Sequence, residues 1–432
     1  MASADLFDPE LHFRWMSRCA RKSRAGEVLL ATPEGSRYPY VYPRDLAGTA
    51  RVLREMIARD FHAEDAFRHL ESGALFLLEA GREGTWGQRY DLEGRDRSIY
   101  VQEDNVAHAM RVIALYLLEC RRQGREPERG KELVEALVAA FDDSTRRVYR
   151  KGINLFYSTT TVHESPIESG YTLWNNMAYH RAFEQLARVL EAYRPDDARR
   201  ERAQSFCAMH AVNMHRHFVQ DGRFVRRITP QGRIDTRSDI TLLSPHYFNF
   251  PELDARALEA SARKIENDLW DPDLGLLQRY LPFAEDLELH LHAGNGPWLA
   301  YTAIYAGYLA RHGDVEKAER TLRDIAAYAT HEGALPEHLS TRERFLDFWE
   351  REWQTGIDFQ KEFAKEILLP DVRFSRIVEE LNHMRAEYER IRSHVLATDD
   401  PLIRFATPLL WSHAEFLLAL FALEDRRKVS PP

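Results

Sequence analysis

The chain has 432 residues, of which 44% are hydrophobic and 11% aromatic, so it has ample material for a packed core. Its formal net charge of −9 argues against a nucleic-acid partner, because no excess of basic residues is available to neutralise phosphates. The three cysteines, Cys19, Cys120 and Cys207, are too few and too widely spaced for a disulfide framework or a zinc site, and we expect them to be small buried hydrophobes.

The N-terminal residues lack a basic region followed by an apolar run. No stretch of the chain reaches the roughly 20 apolar residues that a membrane helix needs. We therefore expect no secretory signal and no membrane partner, and the simplest location for the protein is the cytoplasm.

Helical periodicity dominates the chain. Apolar residues recur at steps of three and four, as on one buried helix face, after each of five positions: Asp45, Asp104, Tyr171, Trp298 and Pro408. More charged helical stretches with narrower apolar stripes alternate with them, at 63–80, 128–142, 195–219, 254–269 and 313–331. This alternation predicts an all-α fold with inner and outer rings of helices, an α/α barrel. Short strand patterns such as 223–228 predict hairpins in the loops.

Residues 340–398 break this rhythm, because they are rich in charged and aromatic side chains and end in a polar helix over 372–394. The segment is too long for a simple connection. We interpret it as an insertion that either walls a site or packs against a second subunit of a homo-oligomer. No linker rich in Pro, Gly or Ser divides the chain, so we expect residues 1–432 to form one domain.

Polar and aromatic side chains are concentrated at the starts of the apolar helices and in the loops nearby. Aromatic rings can stack on a sugar, and carboxylate, amide and guanidinium groups can bind its hydroxyls. The pattern therefore favours a sugar-binding pocket that is assembled from several loops. The residues expected to bind substrate are Tyr42, Arg44, Asp45, Trp86, Gln102, Glu103, Asp104, Arg279, Trp298 and Trp411.

Two further acids, Glu164 and Glu337, lie in loops at element boundaries. Cleavage of a glycosidic bond needs a proton for the leaving oxygen and a second carboxylate across the sugar, and this pair is our hypothesis for those roles. Taken singly, each acid is more typical of a helix cap or a solvated loop residue, so the hypothesis depends on the polar and aromatic surroundings. His290 and His292 alternate as in a strand, but two histidines alone are a weak metal pattern.

With these motifs in place, the chain resembles the glucoamylase-type enzymes of glycoside hydrolase family 15, from about Tyr38 to Leu420. The resemblance implies a single (α/α)6 barrel, with Arg44 and Asp45 holding the terminal glucose. It also implies that Glu164 is the general acid and Glu337 the general base, and that no metal or organic cofactor is needed. The motifs that carry it occur in the family's order: 40–45, 88–94, 102–104, 239–245, 279–280, 294–298, 335–338 and 408–416.

Two positions depart from the family pattern. His163 stands where a tryptophan commonly precedes the acid, and Glu168 is a rival for the acid. The activity that the resemblance implies is inverting, exo-acting hydrolysis of short isomalto- or malto-oligosaccharides with release of β-glucose. A trehalase of the same family is the alternative, and a non-catalytic helical scaffold or carbohydrate-binding protein is a second one.

Overall fold

The computed structural model of the protein describes residues 5–81, 84–164, 168–250, 254–280, 296–351 and 374–429. In chain order, its helices in these ranges are α1 (Pro9–Arg18), α2 (Pro43–Ala58), α3 (Ala63–Ala80), α4 (Asp104–Gln123), α5 (Gly130–Arg147), α6 (Leu173–Tyr193), α7 (Arg199–Phe218), α8 (Ser244–Tyr247), α9 (Ala255–Leu269), α10 (Leu299–His312), α11 (Val315–Ala327), α12 (Arg342–Arg351), α13 (Phe374–Ala397) and α14 (Leu410–Val429).

Short strands connect these helices in two- and three-stranded antiparallel sheets. They are β1 (Ala20–Ser23), β2 (Gly26–Leu29), β3 (Tyr149–Arg150), β4 (Leu155–Phe156), β5 (Tyr171–Thr172), β6 (Val219–Gln220), β7 (Arg223–Phe224), β8 (Arg227–Ile228), β9 (Ile234–Asp235), β10 (His338–Thr341) and β11 (Leu402–Phe405). The predicted strand pattern at 223–228 thus forms β7 and β8.

The helices form an (α/α)6 barrel, which confirms the predicted fold class. Helices α2, α4, α6, α10 and α14 pack side by side in an inner ring, and a 3₁₀ turn at 240–243 followed by α8 fills the sixth place. His246 of α8 meets Tyr308 of α10 edge to face, with ring centroids 5.6 Å apart, and so closes the ring. Helices α1, α3, α5, α7, α9 and α11 lie outside.

The two rings differ in how many faces they bury. Every residue of α10 from Leu299 to Ala310 is buried, because this helix has neighbours on all sides. The outer helix α11 instead buries a single stripe, which consists of Ala318, Thr321, Leu322 and Ile325. This contrast is the one that the alternation of apolar and charged stretches predicts. The three cysteines are buried and unpaired, as expected.

Sequence periodicity does not predict three of these helices. The sixth inner position, 240–247, is too short to produce a periodic signal. Helix α1 and helix α12 are each only 10 residues long and were likewise not expected. The predicted polar helix at 372–394 is present as α13, although residues 352–373 of the insertion lie outside the described ranges.

The loops that precede the inner helices lie at one end of the barrel and are joined to one another. Isolated backbone bridges link Val41 to Tyr90, Gln102 to Thr160, Asp239 to Tyr280 and Trp298 to His338. We call this ring of bridged loops the rim. Because the rim carries the starts of the inner helices, the polar residues predicted at those starts are gathered around one opening.

The described part of the insertion has a small apolar cluster of its own. Strands β10 and β11 pair in antiparallel register at its base. The cluster joins α12, α13 and β11, and its members are Phe345, Phe348, Met384, Tyr388, Ile391, Val395, Ile403 and Phe405. Helix α13 also contacts the rim, since Arg376 donates to the Ser98 carbonyl at 3.1 Å. Packing of the insertion against a second subunit stays a prediction.

Within the described ranges, no helix is both long enough and apolar enough to cross a membrane. The same ranges contain no group of three or more His, Cys, Asp or Glu side chains that could hold a metal ion. His290 and His292 lie outside the described residues, as do Gly294 and Asn295 of the turn before Trp298.

Candidate active site

The start of α2 brings a guanidinium group to the rim. Nη2 of Arg44 donates to Gln102 Oε1 and to the Thr161 carbonyl, both at 3.0 Å. Its Nη1 lies 3.6 Å from Oε1 of Glu164. Burial by itself lowers the pKa of Arg44, but the carboxylates of Asp104 and Glu164 raise it on balance, so the side chain stays charged. Arg44 therefore ties the starts of α2 and α4 to the loop that carries Glu164.

Glu164 lies in the loop before α6 with a backbone φ of +55°. A residue other than glycine seldom occupies this left-handed region, and such conformations cluster at functional sites. Its Oε1 accepts hydrogen bonds from the side-chain amides of Gln88 at 3.2 Å and Gln102 at 2.9 Å. No donor among the described residues reaches its Oε2, and the side chain is 29% exposed. The described residues thus fix one of the two carboxyl oxygens of Glu164.

Glu168, the rival acid, is buried and holds its own loop together. Its carboxylate accepts hydrogen bonds from the backbone N–H groups of Thr161 at 2.7 Å and His163 at 3.0 Å. The hydroxyl of Thr160 donates to it at 3.1 Å, and the Thr161 hydroxyl donates as well. Glu168 thus binds donors of its own loop, whereas the donors to Glu164 come from other loops of the rim.

His163 anchors the same loop from its other side. Its Nε2 lies 3.2 Å from Oδ2 of Asp239, and the guanidinium of Arg226 pairs with that oxygen at 3.3 Å. Burial raises the pKa of Asp239, but Arg226 and the hydrogen bond from His163 lower it to about 2, so the carboxylate is charged. The departure from the family pattern at His163 thus has a structural role, because the side chain fixes the loop of Glu164 to the start of the sixth inner element.

Glu337 lies just before β10 and is held through both its backbone and its side chain. Its N–H donates to the Phe405 carbonyl, and its carbonyl accepts from the N–H of Leu299, both at 3.0 Å. Its Oε2 accepts a hydrogen bond from the Tyr38 hydroxyl at 3.2 Å and lies 3.2 Å from Nδ1 of His338. The side chain is 11% exposed. The side chain of Glu337 is therefore less exposed than that of Glu164, and its backbone is held in place at the start of β10.

Asp45 is the third acid of the site, one residue beyond Arg44. Burial raises the pKa of Asp45 to about 7; Arg44 lowers it, and the charges of Glu337 and Glu164 raise it further. Because both glutamates act on this one carboxyl group, the three acids share one neighbourhood. Acids crowded in this way, with a shifted pKa, are typical of functional sites.

A second guanidinium and an indole line the pocket near Glu337. The guanidinium of Arg279 lies over the ring of Trp298, 4.3 Å from its centroid, and donates to the Tyr280 hydroxyl at 3.2 Å. The Trp298 ring in turn stacks on His338 with centroids 4.8 Å apart and an interplanar angle of 14°. Through His338, which follows Glu337 in the chain, Arg279 and Trp298 lie near that acid, and their contact with a substrate stays a prediction.

Tyr301 and Trp411 extend the aromatic lining deeper into the barrel. Their rings meet edge to face with centroids 5.4 Å apart. Trp411 is buried and donates from its indole nitrogen to Glu415 Oε1 at 2.9 Å. The indole lies against α2 at Gly48, where a Cβ atom would approach Nε1 to 2.9 Å. Trp411 is thus held within the barrel by Glu415, and its role as a wall of the pocket stays a prediction.

Two acids predicted to bind substrate, Asp104 and Glu103, have partners inside the protein. Asp104 is fully buried and pairs with Arg44 and with the indole N–H of Trp174 at 3.1 Å. Both carboxylate oxygens of Glu103 accept hydrogen bonds from Thr159, at 2.7 and 2.8 Å. Both acids thus bond to other residues of the rim and help to orient Arg44 and the acid loop. Their direct contact with a sugar stays a prediction.

Trp86 and Tyr42 were also predicted to bind substrate. Trp86 is buried in the core, and its indole N–H donates to the Leu77 carbonyl at 2.7 Å at the end of α3. It therefore supports the loop that carries Gln88, and its contact with a substrate stays a prediction. Tyr42 is half-buried on the rim, and its hydroxyl accepts a hydrogen bond from Arg89 at 3.2 Å. Of the two, only Tyr42 is near a site residue, since its ring meets Tyr38 with centroids 6.4 Å apart.

Sequence reasoning missed three residues that contact the two glutamates: Tyr38, Gln88 and His338. Tyr38 and Gln88 lie inside motifs that were recognised, but only the folded loops reveal which member of each motif points at an acid. His338 was noted only as the neighbour of Glu337.

No protein-family model matches this sequence, and no curated protein is similar to it in sequence. Solved structures are similar in fold. A wild-type glycosidase superposes with a TM-score of 0.60 at 19% identity, over 96% of both chains. The fold is that of glucoamylases. A glucoamylase from Saccharomycopsis fibuligera matches 99% of this chain and 98% of its own, with a TM-score of 0.57 and 13% identity. A bacterial glucoamylase complexed with acarbose has a TM-score of 0.60 at 15% identity, over 97% of this chain and 56% of its own.

Proposed function

We propose that the protein is an inverting, exo-acting α-glucoside hydrolase. Its substrates are short isomalto- or malto-oligosaccharides, and its product is β-glucose from the non-reducing end. The observation that carries this proposal is Glu164, one carboxyl oxygen of which is held by Gln88 and Gln102 beside the charged Arg44, on the rim of a glucoamylase-type barrel.

Glu164 has the contacts that a general acid needs. Its Oε1 is fixed by two side-chain amides, so the carboxyl plane has a set orientation. Its Oε2 is left to donate a proton to the glycosidic oxygen as the bond to the leaving sugar breaks. The partial exposure of the side chain allows the proton to be replaced from solvent after each turnover.

Glu337 has the contacts that a general base needs. The hydroxyl of Tyr38 and the ring of His338 are both directed at Oε2, which keeps the carboxylate in place and leaves Oε1 for water. The base removes a proton from that water as it attacks the anomeric carbon from the face opposite the leaving group. Inversion by this route requires carboxyl groups about 6.5–9.5 Å apart, which leaves room for the water.

Arg44 and Asp45 are placed to hold the terminal glucose. A carboxylate can accept hydrogen bonds from two sugar hydroxyls, and the guanidinium of Arg44 can donate to a third. The rings of Trp298 and Tyr301 supply apolar surface beside these groups. One of the similar glycosidase structures is a variant in complex with glucose, which supports a glucose-sized subsite in this fold.

The proposal is tested with purified protein and a panel of maltose, isomaltose and trehalose, followed by proton NMR during the first minutes of reaction. We expect hydrolysis of maltose or isomaltose with β-glucose as the first-formed anomer. Release of α-glucose from these substrates would contradict inversion. Hydrolysis of trehalose alone would identify a trehalase, and hydrolysis of no member of the panel would favour the non-catalytic scaffold.

A further inference from the structure

Helix α13 of the insertion makes a buried ion pair with the rim. Oε2 of Glu387 accepts a hydrogen bond from Nη1 of Arg37 at 2.6 Å. Only 3% of the Arg37 side chain and 10% of the Glu387 side chain are exposed. The second oxygen of Glu387 accepts from the N–H of Ala406 at 3.0 Å, directly after β11. One carboxylate thus joins α13 to the rim and to β11.

Arg37 connects this ion pair to the tyrosine that contacts Glu337. Its guanidinium lies 5.3 Å from the ring centroid of Tyr38 and 5.2 Å from that of Tyr388, a buried residue of α13. A cation near an aromatic face is attracted to it, most strongly where water is excluded. The Tyr38 ring is therefore confined from one side by Arg37, while its hydroxyl donates to Glu337 at the other end.

The same segment also holds the backbone of Glu337. The Phe405 carbonyl of β11 accepts its N–H at 3.0 Å. Phe405 packs against Tyr388 with ring centroids 5.5 Å apart. Glu337 is thus held by two routes from the insertion, one through Arg37 and Tyr38 to its side chain and one through β11 to its backbone.

We infer that Arg37 and Glu387 are positioning residues for Glu337, so that the insertion is part of the apparatus that sets the orientation of the base. The ion pair holds the Tyr38 ring where its hydroxyl reaches Oε2, and neither Arg37 nor Glu387 touches substrate. This inference rests on the proposed function, because it assigns a purpose to a contact with the proposed base.

A second acid on the same helix provides a matched control. Glu379 also pairs with a rim arginine, Arg97, at 3.3 Å, but 43% of its side chain and 33% of that of Arg97 are exposed. An exposed pair of this kind contributes little to stability, whereas a buried pair leaves an uncompensated charge when one partner is removed. Glu387→Gln and Glu379→Gln therefore make the same chemical change on one helix at sites of different burial.

The experiment is a double-mutant cycle on the full-length protein, with kcat and KM measured on the wild type's best disaccharide. Tyr38→Phe is expected to lower kcat by about 10- to 100-fold, the effect of one hydrogen bond to a charged group. Glu387→Gln is expected to lower kcat by about tenfold with KM changed less than threefold, because the base acts on water and not on the bound sugar. Glu379→Gln should leave both constants within about twofold of wild type.

The decisive measurement is Glu387→Gln in the Tyr38→Phe background. If Glu387 acts through Tyr38, the second substitution should lower kcat by less than about twofold further, since its route to the base is already cut. A full tenfold loss in that background, or a kcat for Glu387→Gln equal to wild type, would overturn the inference.

Stability is followed in parallel by thermal unfolding of each variant. If Glu387→Gln does not fold, the pair Arg37→Gln with Glu387→Gln, which removes both buried charges together, takes its place in the cycle. If the wild-type protein hydrolyses no sugar, the proposed function itself is wrong. If the wild type is active and Glu387→Gln has the same kcat, only this inference is wrong.

Discussion

Glu164 and Glu337 are held in different ways. Glu164 is fixed by amide and guanidinium side chains of the barrel rim, in a strained backbone conformation, and is partly exposed. Glu337 is fixed by a tyrosine, a histidine and backbone hydrogen bonds to two neighbouring elements, and is nearly enclosed. The difference matches the two proposed tasks. An acid exchanges protons with solvent and reaches a leaving group, whereas a base has to keep one water in a fixed line of attack.

The sharpest way to break this comparison is to vary the leaving group. Glu164→Gln should lower turnover of a disaccharide by about 10²–10⁴-fold, because no proton is given to the leaving sugar. The same variant should hydrolyse α-glucosyl fluoride at close to the wild-type rate, since fluoride leaves with little protonation. Glu337→Gln should lose activity on both substrates, because water is no longer activated. Initial rates by glucose release measure all four combinations.

Glu168→Gln is the control for the rival acid. We expect it to lower both activities to a similar extent, because it loosens the loop of Glu164 without supplying the proton itself. A loss on the disaccharide that is absent with the fluoride would instead assign the acid role to Glu168.

A histidine pair beneath Glu337 predicts a pH dependence of stability. The Leu335 N–H donates to Nε2 of His413 at 3.0 Å, so the proton of His413 is on Nδ1, which lies 3.0 Å from Nδ1 of His12. Nε2 of His12 then donates to the Leu6 carbonyl at 2.8 Å, and both rings are neutral. Burial lowers the pKa of His12 to about 4, and that of His413 well below its usual value.

Because the unfolded chain binds these protons near pH 6.5 and the folded one does not, the free energy of unfolding falls as pH drops from 6.5 to about 4. Replacing His12 by Gln should reduce that slope by about 1.4 kcal/mol per pH unit, or about 3 kcal/mol over the window. Urea unfolding from pH 4.5 to 7.5 measures the slope. His331→Gln, at a side chain that is 81% exposed, is the control and should leave the slope unchanged. An unaltered slope for the His12 variant would contradict the neutral pair.

Asp45, whose pKa is affected by both glutamates, predicts a pH dependence of substrate binding. Its pKa is raised to about 7, and the charged carboxylate that forms above this pH accepts stronger hydrogen bonds from sugar hydroxyls than the neutral acid does. We expect KM to fall as pH rises from 6 to 8. Asp45→Asn should raise KM by about 10- to 100-fold and make it independent of pH over that range. A variant that keeps the pH dependence of KM would show that another group controls it.

The smallest effect on catalysis is expected at Trp86, which supports the loop of Gln88 next to Glu164. Trp86→Phe removes the indole donor to the Leu77 carbonyl and leaves a small cavity, which should lower the free energy of unfolding by about 1–3 kcal/mol. KM should stay within twofold of wild type, because the ring is buried in the core. Chemical denaturation and initial-rate kinetics check the two parts separately. A large increase in KM would support the prediction that Trp86 binds substrate.

The fold could be predicted because both rings of the barrel leave a periodic signal. Long inner helices are apolar on most faces and outer helices on one, and both patterns are visible in a single sequence. The sixth inner position could not be predicted, since 240–247 makes only a 3₁₀ turn and one turn of α-helix. The β10–β11 pairing joins residues more than 60 positions apart, and no local pattern specifies a contact across that distance.

The site was predictable in its location but not in the role of each residue. Asp45 and Asp104 both stand at the start of an inner helix, and by pattern they are equivalent. The structure separates them, since Asp104 pairs with Arg44 inside the protein while Asp45 interacts with the two glutamates. Which carboxylate neutralises an arginine depends on the rotation of one helix against its neighbour, and a single sequence does not contain that information.

The backbone of Glu337 lies at the start of the pairing between β10 and β11. These two strands bring together the two ends of residues 342–401. If residues are added to or removed from 342–401, the pairing of β10 with β11 can be kept. The main chain at Glu337 then keeps its position. If Glu387 positions the base as we infer, a replacement for this segment is expected to retain the full turnover rate only when it carries a counterpart of Glu387.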